Sequence, residues 1–239
     1  MTISGKTVVC IGGAGGMGRG VAQAALELGA DVVITSRSQD KANEVAAQIG
    51  CRGEAIDIDD NDSVSGFFDR IGRFSHLMIT AGAVGRSSFS QTPPDEADRF
   101  MQGKVWGTHR CIWHAREHMD QDGSITLITG GYSQIIDDKA GHVHTAFRAM
   151  EAMAQVAAVS LAPIRCNVIR PGFIDSDLWA DMTDDDRAQL RAAESERTMI
   201  GRIVEPIEFG RFVVLLMQTA VVTGAVIPVD GGRHLSVAR

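Results

Sequence analysis

The chain has 239 residues, 44% of them hydrophobic and 22% charged, and a formal net charge of −7 at pH 7. That length suits one α/β domain with a full core. The acidic balance, with no basic stripe, excludes a nucleic-acid partner, and no apolar run approaches the roughly 20 residues of a membrane span. The opening MTISGKTVVC enters the first expected strand directly, which leaves no room for a signal peptide. Cys10, Cys51, Cys111 and Cys166 lie far apart and are expected to be reduced and buried in a cytoplasmic protein.

Taken in order, residues 7–11 (TVVCI) form a buried strand that runs into glycines 12, 13, 15, 16 and 18. Residues 19–28 follow as an amphipathic helix with Gly29 suited to its C-terminal cap. Strand, glycine turn and helix together make a phosphate-binding corner, because bare N–H groups and the positive helix end face the anion. The steric alternative, a turn that merely needs glycine, stands beside it. Residues 31–35 are a second strand, and Ser38 caps a helix ending at Ile49. Strands follow at 54–58, 76–80, 124–129, 165–169 and 225–229, with helices at 64–71, 95–119, 144–161 and 205–217 between them. Seven strands separated by helices predict a doubly wound, seven-stranded parallel sheet with helices on both faces, built as one domain over residues 1–239.

Five motifs in this order resemble the short-chain dehydrogenase/reductase family over nearly the whole chain. Its glycine fingerprint is matched by Gly12, Gly13, Ala14, Gly15, Gly16, Met17 and Gly18, with the leading threonine replaced by Ile11. Asp57-Ile58 is similar to the adenine-contacting pair, and Thr80-Ala81-Gly82 to the end of an Asn-Asn-Ala-Gly motif. Pro171-Gly172-Phe173-Ile174-Asp175-Ser176 resembles the segment that holds the nicotinamide carboxamide, and Val222–Gly224 with Val229–Gly232 resemble the usual ending. The resemblance implies a Rossmann-type fold that binds a nicotinamide dinucleotide, with Ala81, Gly82, Pro171, Gly172, Ile174 and Ser176 among the residues touching it.

The end of the second strand addresses which dinucleotide. An acid there would bond a ribose 2′-hydroxyl and repel a 2′-phosphate. Ser36 and Arg37 stand there instead, and a guanidinium grips phosphate with several donors at once, so NADP(H) is expected. The alternative is that Arg37 is a solvated surface charge.

The resemblance fails at the chemistry. Alignment through Ser160-Leu161-Ala162 and Pro171-Gly172 places Phe147 at the family's tyrosine, Glu151 at its lysine, Gly130 at its serine and Lys104 at its asparagine. Phenylalanine has no proton to give, and Tyr132, the single tyrosine, is followed four residues on by Ile136. We expect a charge exchange between Lys104 and Glu151 beneath the nicotinamide ribose, with Glu151 accepting from its hydroxyls; the alternative is that both face solvent. Proton-donor candidates are Thr129, Tyr132, His144 and Lys104, with Ser133 and His142 nearby. His114 and His118 lack a third ligand in view, so no metal site is assigned.

Residues 177–199 occupy the place of the family's substrate lid, with Leu178, Trp179 and Met182 available to line a pocket. In the family this chain resembles the same helix packs between subunits, a role that Trp106 and Trp113 fit, so the resemblance implies a homodimer or homotetramer. The function expected is an NADPH-dependent reductase of a small organic substrate with a non-standard proton donor. A cyclase or isomerase, or a silent NADP(H)-binding protein, is the alternative on the same scaffold.

Overall fold

A computed structural model of the chain describes residues 2–82, 88–134, 138–175, 179 and 182–236, apart from the side chains of Tyr132 and Lys139. Its sheet consists of β1 (Thr7–Ile11), β2 (Asp31–Ser36), β3 (Arg52–Ala55), β4 (Phe74–Ile79), β5 (Met119–Ile128), β6 (Arg165–Pro171) and β7 (Val226–Val229). The strands lie in the order β3-β2-β1-β4-β5-β6-β7, and every pair is parallel. Parallel neighbours require crossovers, so helices cover both faces. The strand order reverses between β1 and β4, where an open α/β sheet leaves a crevice at the carboxyl ends of its strands.

One face carries α1 (Gly16–Glu27), α2 (Gln39–Ile49) and α8 (Pro206–Gln218); the other carries α3 (Asn61–Ile71), α4 (Pro94–Met101), α5 (Gly107–Ala115) and α6 (Gly141–Ser160). Each face has its own apolar cluster, built from alternate residues of the same strands: Val8 and Cys10 pack toward α1, Val9 and Ile11 toward α3 and α6. Helix α1 meets α8 backbone to backbone, since a Cβ on Gly210 would lie 2.1 Å from the Gly20 carbonyl. Local signals set the helix ends. Ser38 Oγ accepts from Lys41 N, Asp60 Oδ1 accepts from Asp62 N and Ser63 N, and Glu205 with Glu208 forms a capping box.

One boundary differs from expectation in a way that matters. The helix expected over 95–119 is α4 and α5 joined by a π-turn at Gln102–Trp106, and it stops at Ala115. Met119 therefore begins β5, pairing with Phe74, because it is buried between strands rather than on a helix face. Segment 177–199 contains α7 (Asp184–Arg197), a helix that starts where Asp184, Asp185 and Asp186 favour one: Thr183 caps its N-terminus and the three acids suit the helix dipole.

Candidate active site

The glycine loop leaves β1 and turns into α1 with almost no side chain in it. Gly13 N donates to the Cys10 carbonyl at 3.0 Å, Gly15 N to Gly12 O at 3.2 Å, and Gly12 N to Thr35 Oγ1 at 3.1 Å. A Cβ on Gly18 would sit 2.4 Å from Gly12 O, and one on Gly13 would sit 2.7 Å from Cys10 O, so the turn admits only glycine at these places. Gly15 caps α1 without a side-chain bond, and the first turn of that helix has no acid. Its N–H groups and positive end thus remain available to an anion.

Beside the loop lies a pocket of about 340 Å³, walled by Gly12, Ala14 and Gly15 from the loop, by Ser36, Arg37 and Lys41 past β2, and by Asp57 and Ile58 past β3. Ala81 and Gly82 close it beyond β4. The two cations are uncommitted: neither Arg37 nor Lys41 has an ion pair among the described residues. Asp57 faces the same space and orders its own loop by accepting from Asp59 N at 3.0 Å. A glycine cradle, a helix N-terminus and two free cations opposite it are a donor set for a phosphorylated dinucleotide. Gly12–Gly18, Ser36, Arg37, Asp57, Ile58, Ala81 and Gly82 thus come to one crevice.

The far end of the crevice is made of side chains packed against one another. Phe147 of α6 is buried, and a Cβ on Gly130 would lie 2.7 Å from its ring. Lys104, in the π-turn, is 3% exposed; its Nζ donates to the Ala81 carbonyl at 3.1 Å and stands 5.7 Å from the centre of the Phe147 ring. The lysine stem crosses Gly82, whose Cβ would meet Lys104 Cδ at 2.7 Å. Burial pushes the Lys104 ammonium down to about 8.

Both expectations for Lys104 and Glu151 require correction. They do not pair, and they do not face solvent, since both are buried. Glu151 is gripped by Arg170 through Nε at 2.6 Å and Nη2 at 2.7 Å, and by Arg148 Nη1 at 2.9 Å. Burial works to raise the Glu151 pKa, but the bonds from Arg170 outweigh it and hold the carboxyl below its ordinary range. These three donors occupy most of a carboxylate's roughly four acceptor sites, and the Ser133 hydroxyl also favours the ionised form. Arg170 was not anticipated. The signal for it was a second arginine in the buried strand Arg165–Pro171, directly before Pro171-Gly172.

Thr129 is buried at the end of β5, and its Oγ1 donates to the Ile169 carbonyl at 3.4 Å. His144 lies in the first turn of α6, partly buried. His142 stacks on Phe89 at 5.3 Å, with a buried Nε2 that has no partner among the described residues. The side chain of Tyr132, and the whole of Ser176 and Leu178, lie outside the described residues. Pro171 ends β6 and Gly172 and Ile174 follow it, with Gly172 so close to Asp230 that a Cβ would lie 2.9 Å from its Cα. The chain beyond Ile174 is tied to α7 ionically. Asp175 accepts from Arg187 Nε at 2.7 Å and from Arg191, and Arg191 Nη2 reaches Glu205 at 3.3 Å. Burial opposes ionisation of Asp175, yet its two arginine bonds hold the carboxyl low. His114 and His118 bond Asn61 and Asp69 rather than each other's ligands, and the described residues contain no metal-ligating group of three.

Comparison with known proteins agrees with this geometry. The family model described as "Enoyl-(Acyl carrier protein) reductase" matches residues 12–234. The chain is 28% identical to an L-rhamnose 1-dehydrogenase (NAD(P)(+)) of Sphingomonas sp. (strain SKA58), covering 98% of each protein. It is 30% identical to a cis-4-hydroxycyclohexanecarboxylate dehydrogenase of Sinomonas cyclohexanicum, covering 95% of this chain and 96% of the other. Among solved structures, a small-chain dehydrogenase in complex with NADPH superposes with a TM-score of 0.85 at 29% identity, covering 97% of this chain and all of that one. The match across nearly its whole length, with the seven-stranded sheet and the glycine cradle in register, shows that the chain belongs to the short-chain dehydrogenase/reductase family.

Proposed function

We propose that the protein is an NADP(H)-dependent oxidoreductase that reduces a carbonyl, imine or enone in a small organic substrate, using a proton donor other than the family's tyrosine. The observation that carries this reading is the pocket end of β2. Ser36, Arg37 and Lys41 line it with no carboxylate at the strand terminus, and neither cation forms an ion pair among the described residues, although Asp57 and Asp59 line the same pocket. The NADPH-bound neighbour and the dehydrogenase and reductase names of the relatives support the same cofactor and reaction class.

Gly12–Gly18 would hold the pyrophosphate, Ser36 and Arg37 the 2′-phosphate, and Asp57-Ile58 the adenine. Ala81, Gly82 and Glu151 would meet the nicotinamide ribose, and Pro171, Gly172, Ile174 and Ser176 the carboxamide. When bound, the cofactor supplies a hydride. The protein's part is to orient the electrophile and deliver a proton. Phe147 cannot deliver it. Thr129, Tyr132, His144 and Lys104 remain the candidates, with water or the substrate itself beside them. The lid at 177–199, held at Asp175, closes the substrate side, and the exposed indoles of Trp106 and Trp113 suit subunit contact in a homodimer or homotetramer.

Calorimetric titration with NADPH and NADH tests the cofactor. NADPH is expected to bind at least about tenfold tighter, and Arg37→Asp to remove the preference. Equal affinities would overturn it. NADPH consumption across a panel of ketones, quinones and imines tests the reaction; turnover without change in NADPH would instead indicate a non-redox enzyme on this scaffold, and tight binding with complete inertness a silent binding protein.

A further inference from the structure

Among the described residues, Lys104 is a buried cation at the carboxyl end of the sheet that no carboxylate neutralises. Its surroundings can be taken element by element. From the loop after β4 it meets Ala81 and Gly82, which carry no charge. From α6 the neighbour is the Phe147 ring. The one acid of that helix on this side, Glu151, is already spent on Arg170 and Arg148, and His144 stands in its first turn. On its own helical run, Arg110 is turned to the Ile58 carbonyl and to Gln102, Arg99 to Asp95, and Asp59 stands against Gly103. Burial, with no charged neighbour contributing, is what depresses its proton affinity to about 8.

An unneutralised ammonium in so dry a place repels other cations over several ångströms, because the surrounding protein screens poorly. NADPH and NADP+ share the adenosine, the phosphates and both riboses. They differ at the ring, which is neutral when reduced and cationic when oxidised. We propose that Lys104 is a specificity-determining residue that makes this site bind the reduced cofactor more tightly than the oxidised one. The inference rests on the NADP(H) reading above and adds to it the oxidation state. It also accounts for the stem of Lys104 lying across Gly82, one of the residues assigned to the nicotinamide half. Deprotonation of the amine removes the repulsion, so the selection is strong below the pKa and fades above it.

The test is the ratio of dissociation constants, Kd for NADP+ over Kd for NADPH, measured by fluorescence or calorimetry without any substrate. Every group common to the two nucleotides, including the 2′-phosphate, cancels from that ratio. A unit charge at about 10 Å and an effective dielectric of about 20 predicts that the ratio falls roughly tenfold between about pH 6.5 and about pH 9.5. Lys104→Met is expected to start from the lower ratio and stay flat with pH, and Lys104→Arg to keep the high ratio throughout. A wild-type ratio that does not change with pH overturns the inference, as does a folded Lys104→Met that retains the wild-type ratio and pH course. In either case tight NADPH binding would leave the proposed function standing, whereas failure of the wild type to bind either nucleotide would overturn both.

Discussion

The two ends of the crevice are built on different principles. The cradle end is backbone: three loop amides are fixed by carbonyl and threonine oxygens, and Gly13 and Gly18 touch neighbouring main chain where a Cβ would stand. The far end is side chain on side chain, with Phe147 filling the place beside Gly130, Lys104 laid over Gly82, and Glu151 clamped by Arg170. A backbone site tolerates almost no change in residue type and keeps its ligand. A side-chain site depends on how its members fit one another, and Phe147 leaves no room for a Cβ at Gly130.

The largest expected effect falls on the side-chain end. Glu151→Ala leaves the buried Arg170 unpaired and is expected to cost about 3–5 kcal/mol in chemical denaturation. Replacing both partners by Met should recover most of that loss. If the single variant costs no more than an exposed pair would, the clamp is not the organising contact of this end. Gly18→Ala breaks the cradle end: the new methyl would meet Gly12 O at 2.4 Å. Overpacking of this kind costs about 1–3 kcal/mol, and NADPH affinity should fall at least as steeply as stability. Arg37→Ala should weaken NADPH by about tenfold and leave NADH unchanged, as expected for loss of a charge-assisted phosphate contact.

A smaller effect concerns the ion pairs of Asp175. The Asp175 carboxyl is held below its ordinary value of 3.8, so its bonds to Arg187 and Arg191 contribute stability that is complete above that pH and lost as pH falls through the lower folded value. The stability difference between wild type and Asp175→Asn should therefore be constant from neutrality down to about pH 4 and shrink only below it. A difference that already declines between about pH 7 and about pH 5 would contradict the assignment.

The same contrast decides what the sequence reveals. Alternation of strands and helices, the run of glycines and the Ser38 cap are local patterns, so the sheet, its seven strands and the cradle can be read directly. Arg170 and Glu151 are 19 residues apart on different elements, and only the packing of α6 on β6 brings them together. Lys104 is the natural partner for Glu151 on charge alone, but the π-turn at Gln102–Trp106 directs its amine to Ala81 instead. A π-turn leaves no spacing signature strong enough to separate it from an ordinary helix. The Asp175 clamp was hidden for a similar reason, since a run of acids and arginines reads equally as a solvated face.

The proposed hydride transfer is tested most directly by isotope transfer. NADPH carrying deuterium at the transferable C4 position is incubated with the protein and the panel of ketones, quinones and imines, and the products are weighed by mass spectrometry. Appearance of the deuterium on the former carbonyl or imine carbon, from one face of the ring only, is the predicted result. Substrate conversion with all of the label retained in NADPH would contradict it.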